Sequence, residues 1–197
     1  MIVVVAALKG GVGKTTSAVY LAAAASNGRR PVTLVDADPQ ASAAEWLEVA
    51  EDEEVAAITV VEAPTERLLV RALERAEPDD IVVVDTPPGH ERLLERAMAG
   101  ANAVVVPTRV GGVETSRAEA VMEMLPKKVP AGLVFTSART FTRDYQDAVA
   151  GWEEAGVAVW GTIPERVSIA AGPAGWLSPE GLELFRGVWR RAQRAAR

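Results

Sequence analysis

Residues 9–16 read KGGVGKTT. Glycines at 10, 11 and 13 let a backbone curl until its N–H groups face one anion. Lys14 and Thr15 follow at the spacing that sets an ammonium and a hydroxyl beside that anion. The chemistry such a set performs is polyphosphate binding. Lys14 reaches the β- and γ-phosphates, the Thr15 hydroxyl takes Mg²⁺, and Gly10, Gly11, Val12, Gly13 and Thr16 complete the cradle. The pattern G-x-x-x-x-G-K-[ST] would open with glycine at position 8, but the chain has Leu8 there, followed by a second lysine, Lys9. A lysine at the loop's entry need not serve its own phosphates. It can cross to a nucleotide held by a facing copy of the chain.

Carboxylates arrive at two further places. LVDADPQ closes one apolar run with Asp36 and Asp38, and IVVVDTPPG closes another with Asp85. Alone, each acid could simply be a solvated strand end or a helix cap, the commoner fate of such positions. Three of them at such ends, in a chain with a phosphate loop, point to a metal–nucleotide site in which Asp85 holds the metal through a bound water.

Positioning these groups requires a particular scaffold. Short runs rich in β-branched residues recur at Ile2–Leu8, Val32–Asp36, Ile58–Glu62, Ile81–Asp85, Ala103–Pro107, Gly132–Thr136 and Val157–Trp160. Helix-length stretches such as Lys14–Ser26, Thr65–Ala76 and Glu114–Leu125 separate them. Continuously apolar strands alternating with helices predict an α/β fold: a doubly wound, mostly parallel sheet with helices on both faces. Ligands of such sheets bind at the carboxyl ends of the strands, where the loop and the acids fall. No linker or repeat divides residues 1–197, so a single domain is expected.

Composition narrows the chemistry. The chain has no cysteine, which removes disulfides, thiolate metal sites, iron–sulfur clusters and cysteine nucleophiles. The apolar start MIVVVAAL is short and lacks a basic leader, so it reads as a buried strand and the expected location is the cytoplasm. The net charge is −6, so contact with nucleic acid would need a local basic patch.

Together, KGGVGKTT, DADPQ and DTPPG resemble the ParA family of partition ATPases, within the larger group that includes MinD and the nitrogenase iron protein. The likeness continues through VVVPTRVGGVE, TSARTFTRDYQ and GTIPERVSIAAGPAG and so spans nearly the whole chain. It is that of a short, plasmid-type ParA lacking an N-terminal DNA-binding extension, which argues against operator-specific repression. The resemblance implies a P-loop NTPase of the deviant Walker A type that forms a homodimer around two ATP molecules. In it Lys9 of each copy contacts the phosphates bound by the other, and Lys14 acts within its own copy. Asp38 matches the family's water-positioning acid, while Asp36 and Asp85 support Mg²⁺ through its water shell. Thr136, Arg139 and Pro164 lie where the family encloses adenine. The resemblance also implies slow hydrolysis stimulated by a ParB-like centromere-binding protein, and association with the nucleoid in the ATP state.

The C-terminal stretch SPEGLELFRGVWRRAQRAAR predicts a helix capped by Ser178 with Pro179 at its first position. At 100° per residue, Leu182, Phe185, Val188, Trp189 and Ala192 share one face. Arg186, Arg190, Arg194 and Arg197 gather on the other, with Arg191 at its edge. The plain account is a closing helix whose last cations suit its dipole. So many arginines after the last acid, Glu183, favour sequence-independent DNA binding instead. A MinD-like membrane switch, anchored by this same basic amphipathic helix, is the rival. Binding to a membrane is not expected, because the sheet needs the helix as cover. A metabolic ligase using ATP would need a substrate insertion that the chain does not show. His90, the one histidine, reads as a surface loop residue. The five tryptophans (46, 152, 160, 176 and 189) read as packing residues, and the acid run 51–54 as a solvated loop.

Overall fold

The computed structural model describes residues 1–27, 30–49, 55, 57–170 and 177–197. Strands and helices alternate along the chain: β1 (Ile2–Val5), α1 (Lys14–Ser26), β2 (Val32–Asp36), α2 (Ser42–Val49), β3 (Ile58–Glu62), α3 (Glu66–Glu74), β4 (Ile81–Asp85) and α4 (Glu91–Ala99). They continue with β5 (Ala103–Thr108), α5 (Gly112–Glu123), β6 (Ala131–Ala138), α6 (Arg143–Glu154), β7 (Val159–Pro164), α7 (Val167–Ala170) and α8 (Pro179–Ala195).

The strands form one parallel sheet in the order β3-β2-β4-β1-β5-β6-β7. The inner strands β4 and β5 are buried along their whole length, as continuous runs of Val and Ile require when helices cover both faces. One face packs under α1, α2 and α8, through Tyr20, Leu21, Trp46, Phe185 and Val188. The other packs under α3 to α6, through Leu69, Leu94, Met98, Val121 and Trp152. The doubly wound α/β fold expected from the alternation is present.

Several boundaries differ from the expected ones: β5 ends at Thr108 rather than Pro107, β6 runs over Ala131–Ala138 rather than Gly132–Thr136, and α3 and α5 are Glu66–Glu74 and Gly112–Glu123 rather than Thr65–Ala76 and Glu114–Leu125. β1 ends at Val5 rather than Leu8, while Ala6 and Ala7 stay buried as the lead into the loop. β7 runs over Val159–Pro164 instead of Val157–Trp160. Its pairing with β6, from Leu133↔Val159 to Ala138↔Pro164 with two register shifts, sets those ends. Local β-branched content does not carry that information.

Two close approaches shape the side of the sheet that carries the site. A Cβ on Gly132 would come within 2.1 Å of the Trp160 ring, so only glycine lets β7's tryptophan lie across β6. A Cβ on Gly181 would meet Tyr20 at 2.6 Å, and its absence lets α8 settle on α1. There Tyr20 and Phe185 stack with centroids 5.3 Å apart, and the Ser178 amide donates to the Tyr20 hydroxyl at 2.9 Å. The Ser178 cap forms as expected, accepting from Gly181 N at 3.3 Å, and Leu182, Phe185, Val188, Trp189 and Ala192 are buried. Trp46, Trp152, Trp160 and Trp189 are core residues. Trp176 and the acid run 51–54 lie outside the described residues.

Candidate nucleotide-binding site

The loop of residues 8–13 leaves the carboxyl end of β1, a central strand, and runs directly into α1. Gly11 and Gly13 have φ of 73° and 82°, left-handed values that glycine adopts without strain. Gly13 is also the N-cap of α1, so the amides of the first helical turn and the positive end of the helix dipole face the loop's hollow. Thr136 fastens this curl from β6. Its hydroxyl donates to the Val12 carbonyl at 2.8 Å and shares Thr108 O at 3.1 Å.

The two lysines leave the loop differently. Lys14 is buried at 7% exposure, and its Nζ donates to the Lys9 carbonyl at 3.0 Å, bridging the loop. Burial pushes its ammonium below the ordinary 10.5, while Asp85 and then Asp38 pull it back up. Lys9 sends its side chain out of the loop to α5, where Nζ pairs with the Glu114 carboxylate. That hydrogen bond is the main reason the Glu114 carboxyl sits below its usual range.

Asp36 and Asp85 stand side by side at the carboxyl ends of β2 and β4, as register partners. They do different work. Asp36 spends Oδ1 on the Asp38 amide (3.0 Å) and Oδ2 on the Ala43 and Ala44 amides (2.9 and 3.1 Å). It therefore starts α2 and shapes the turn that presents Asp38. Burial raises its pKa against those three donors. Asp38 is partly exposed, and its Oδ1 accepts from Gln40 N at 3.0 Å. Asp85 is fully buried, and neither carboxylate oxygen has a hydrogen-bond partner of normal geometry among the described residues. Desolvation pushes its pKa up to about 7; Thr15 and Lys14 pull it down, and Asp36 pushes it further up.

A buried, orphaned carboxylate electrostatically coupled to the Thr15 hydroxyl fits a hard cation that takes its other ligands from phosphate and water. A cage made of protein alone does not fit: no group of three or more acidic, His or Cys side chains suited to a metal occurs among the described residues. The residues present therefore suit Mg²⁺ bound together with a nucleotide.

Beside the loop opens a cavity of about 230 Å³, lined by glycines and hydroxyls of the loop and by Thr136, Ile163, Pro164, Ile169 and Phe185. Apolar walls at the mouth of a phosphate loop suit a flat base. Of the three residues expected near adenine, Thr136 and Pro164 line this cavity. Arg139 does not line this cavity: its Nε donates to Glu165 at 2.7 Å on the surface. The sequence reading missed Arg109, Ser137, Arg166 and Phe185, all of which line it. Arg109 and Arg166 follow strand ends, a signal that was available. Ser137 has φ of 48° inside the irregular end of β6, and Phe185 arrives from α8; neither leaves a local mark in sequence. Of the basic helix face, Arg186 and Arg190 both approach Glu183 (3.4 Å each), and Arg191 donates to the Trp160 carbonyl at 2.7 Å. Arg190, Arg194 and Arg197 are exposed. His90, exposed, begins α4 as its N-cap residue.

Known proteins share this fold and match much of this sequence. Residues 3–175 match the family described as the CobQ/CobB/MinD/ParA nucleotide binding domain. A protein named ParA from Rhizobium radiobacter is 31% identical over 153 residues, spanning 74% of this chain and 68% of that one. A Borrelia burgdorferi B31 protein described as a plasmid partition protein, solved with AMPPNP, superposes with a TM-score of 0.77 at 19% identity, over 98% of both chains. The septum site-determining protein MinD of Pyrococcus horikoshii OT3, complexed with Mg-ADP, gives a TM-score of 0.78 at 20% identity, over 96% of this chain and 94% of that one. These matches assign the whole domain: this chain is a member of the ParA family, among the CobQ/CobB/MinD/ParA nucleotide-binding ATPases.

Proposed function

We propose that this chain is an ATP-driven dimer switch for DNA partition. It binds Mg-ATP, pairs with a second copy across the nucleotides, binds DNA without regard to sequence in that state, and separates after slow hydrolysis stimulated by a ParB-like centromere-binding protein. The observation that carries this reading is the divergence of the two lysines. Lys14 is turned in over its own loop, while Lys9 lies outside it with a side chain 39% exposed. In this reading the Lys9 cation, paired with Glu114 rather than with its own loop, reaches the phosphates bound by a facing copy.

In this reading the amides of Gly10 to Thr16 hold the phosphates, and the cavity walled by Ile163, Pro164, Ile169 and Phe185 takes the base. Thr15 and Asp85 would hold Mg²⁺, with Asp36 behind them. When bound, the ion neutralises charge on the β- and γ-oxygens. Asp38, presented by Asp36, orients the attacking water. Lys14 and the facing copy's Lys9 stabilise charge that develops as the phosphoryl group transfers.

Arg190, Arg194 and Arg197 form the proposed DNA face, with Arg186 and Arg191 as partly committed neighbours. The fold likeness to MinD invites the membrane alternative, but the apolar side of α8 is spent in the core. This helix has no free apolar face to lay into lipid. Fluorescence anisotropy on two unrelated duplexes, with ADP and with ATP across a salt series, tests the reading. ATP-dependent binding should weaken with a log–log slope of about −0.9 per neutralised phosphate. The triple change of Arg190, Arg194 and Arg197 to Ala should remove most of it while ATP-driven pairing persists. Equal binding with ADP and ATP would separate DNA from the switch.

A further inference from the structure

We propose that Glu114 is a positioning residue for Lys9. It holds the lysine on its own subunit until a facing nucleotide draws it away, and so sets the protein concentration at which two copies pair. The inference rests on the dimer-switch reading above and adds to it the group that opposes the crossing.

Four observations support it. The Lys9 ammonium pairs with Glu114 across 105 positions of sequence, joining the phosphate loop to α5. Asp85 and Asp38, the acids of the site, act on Lys14. The Glu114 carboxylate lies over Gly111, where a Cβ would come within 2.5 Å of Oε2, so this glycine leaves the room in which the carboxylate sits. Finally, Glu114 has support of its own. It is the third residue of α5, where the helix dipole favours an acid, and Arg109 adds a further attraction. The carboxylate can lose Lys9 without being left uncompensated.

Lys9 therefore has two competing homes, Glu114 of its own chain and the phosphates bound by a facing chain. A ligand shifts such an equilibrium by its differential attraction for the two states. The pair is partly solvated, with side chains 39% and 19% exposed, so it biases the choice rather than forbidding it. Partly exposed pairs are worth up to about fivefold in an equilibrium. Both copies must release Lys9, so freeing it should lower the dimer dissociation constant by up to about 25-fold.

The test titrates protein by light scattering with Mg²⁺ and a non-hydrolysable ATP analogue, for wild type, Glu114→Gln, Glu114→Asp, Lys9→Ala and the double variant Lys9→Ala/Glu114→Gln. Glu114→Gln should pair at lower concentration than wild type, and Glu114→Asp should fall between them. The double variant should match Lys9→Ala, because Glu114 acts only through Lys9. Without nucleotide, Glu114→Gln should also raise the rate at which an amine-reactive reagent labels Lys9, with Lys127 and Lys128 as unchanged internal references. Unaltered pairing in Glu114→Gln while wild type pairs, or an effect that survives in the Lys9→Ala background, overturns the proposal alone. Absence of pairing in wild type overturns the dimer reading and this inference with it. Unaltered labelling of Lys9 contradicts the ion pair itself.

Discussion

Asp85 is buried among apolar strands with no hydrogen-bond partner of normal geometry among the described residues, and burial, which penalises the charged form, pushes its carboxyl up to about 7. That arrangement works against the ligand-free fold. An acid whose folded pKa is raised binds more protons when folded than when unfolded, so its contribution falls as pH climbs from its ordinary 3.8 to about 7 and then levels off. The displacement corresponds to roughly 4 kcal/mol at most. The burial-raised Asp36 adds to it with the same sign. Ligand-free wild type should therefore lose thermal stability between pH 5 and 7. Asp85→Asn should flatten that slope and melt several degrees higher at pH 7, at about 2–4 °C per kcal/mol. The measurement is a pH series of calorimetric scans without Mg²⁺, and identical slopes in the two proteins would refute the assignment. Asp38 has the opposite character. It is partly solvated, and its role is argued from the water it would orient, so Asp38→Ala should bind ATP and pair but turn over at least a hundredfold more slowly. A phosphate-release assay at saturating ATP reads this, and wild-type turnover would move the role elsewhere.

At the scale of elements, the site depends on strands delivering loops to one edge of the sheet, and on helices that close tightly over it. Gly132 is the clearest case, because Trp160 occupies the space a side chain would need. Gly132→Ala should destabilise the fold by about 1–3 kcal/mol through overpacking. It should also weaken nucleotide binding, since β6 carries Thr136 and β7 carries Ile163 and Pro164 to the cavity. Urea unfolding and nucleotide titration of the same variant check both, and an unchanged midpoint would show that Trp160 can move aside without cost. Strand and helix order was legible from the alternation of β-branched and helix-forming runs, and the phosphate loop and three acids from their places at strand ends. The apolar face of α8 was legible from its spacing. What α8 touches was not: its stacking on Tyr20, its delivery of Phe185 to the cavity and the diversion of Arg191 to Trp160 are long-range facts. For the same reason Glu114 reads in sequence as an ordinary first-turn acid, though Lys9 lies against it.

Over the whole molecule, the carboxyl edge of the sheet gathers the parts of the proposed switch that handle nucleotide. The phosphate loop after β1, the acids after β2 and β4, and the cavity after β6 and β7 all open on it. Large apolar side chains stand exposed on the same edge: Val113 at the start of α5, Phe141 after β6 and Val167 after β7, the last two 84% and 89% accessible. In the proposed account these groups, with Lys9, meet a second copy when nucleotide is bound, and the DNA-binding arginines are doubled on one assembly as a result. The central claim is that pairing is driven by nucleotide and uses Lys9 from each copy. Light scattering of wild type and Lys9→Ala, each with ADP and with a non-hydrolysable ATP analogue plus Mg²⁺, tests it most directly. Wild type should move from 20.8 kDa toward twice that mass only with the analogue, and Lys9→Ala should bind the analogue yet stay monomeric at the same concentration. A wild type that keeps its mass in both nucleotides, or a Lys9→Ala that pairs as readily as wild type, would contradict the account.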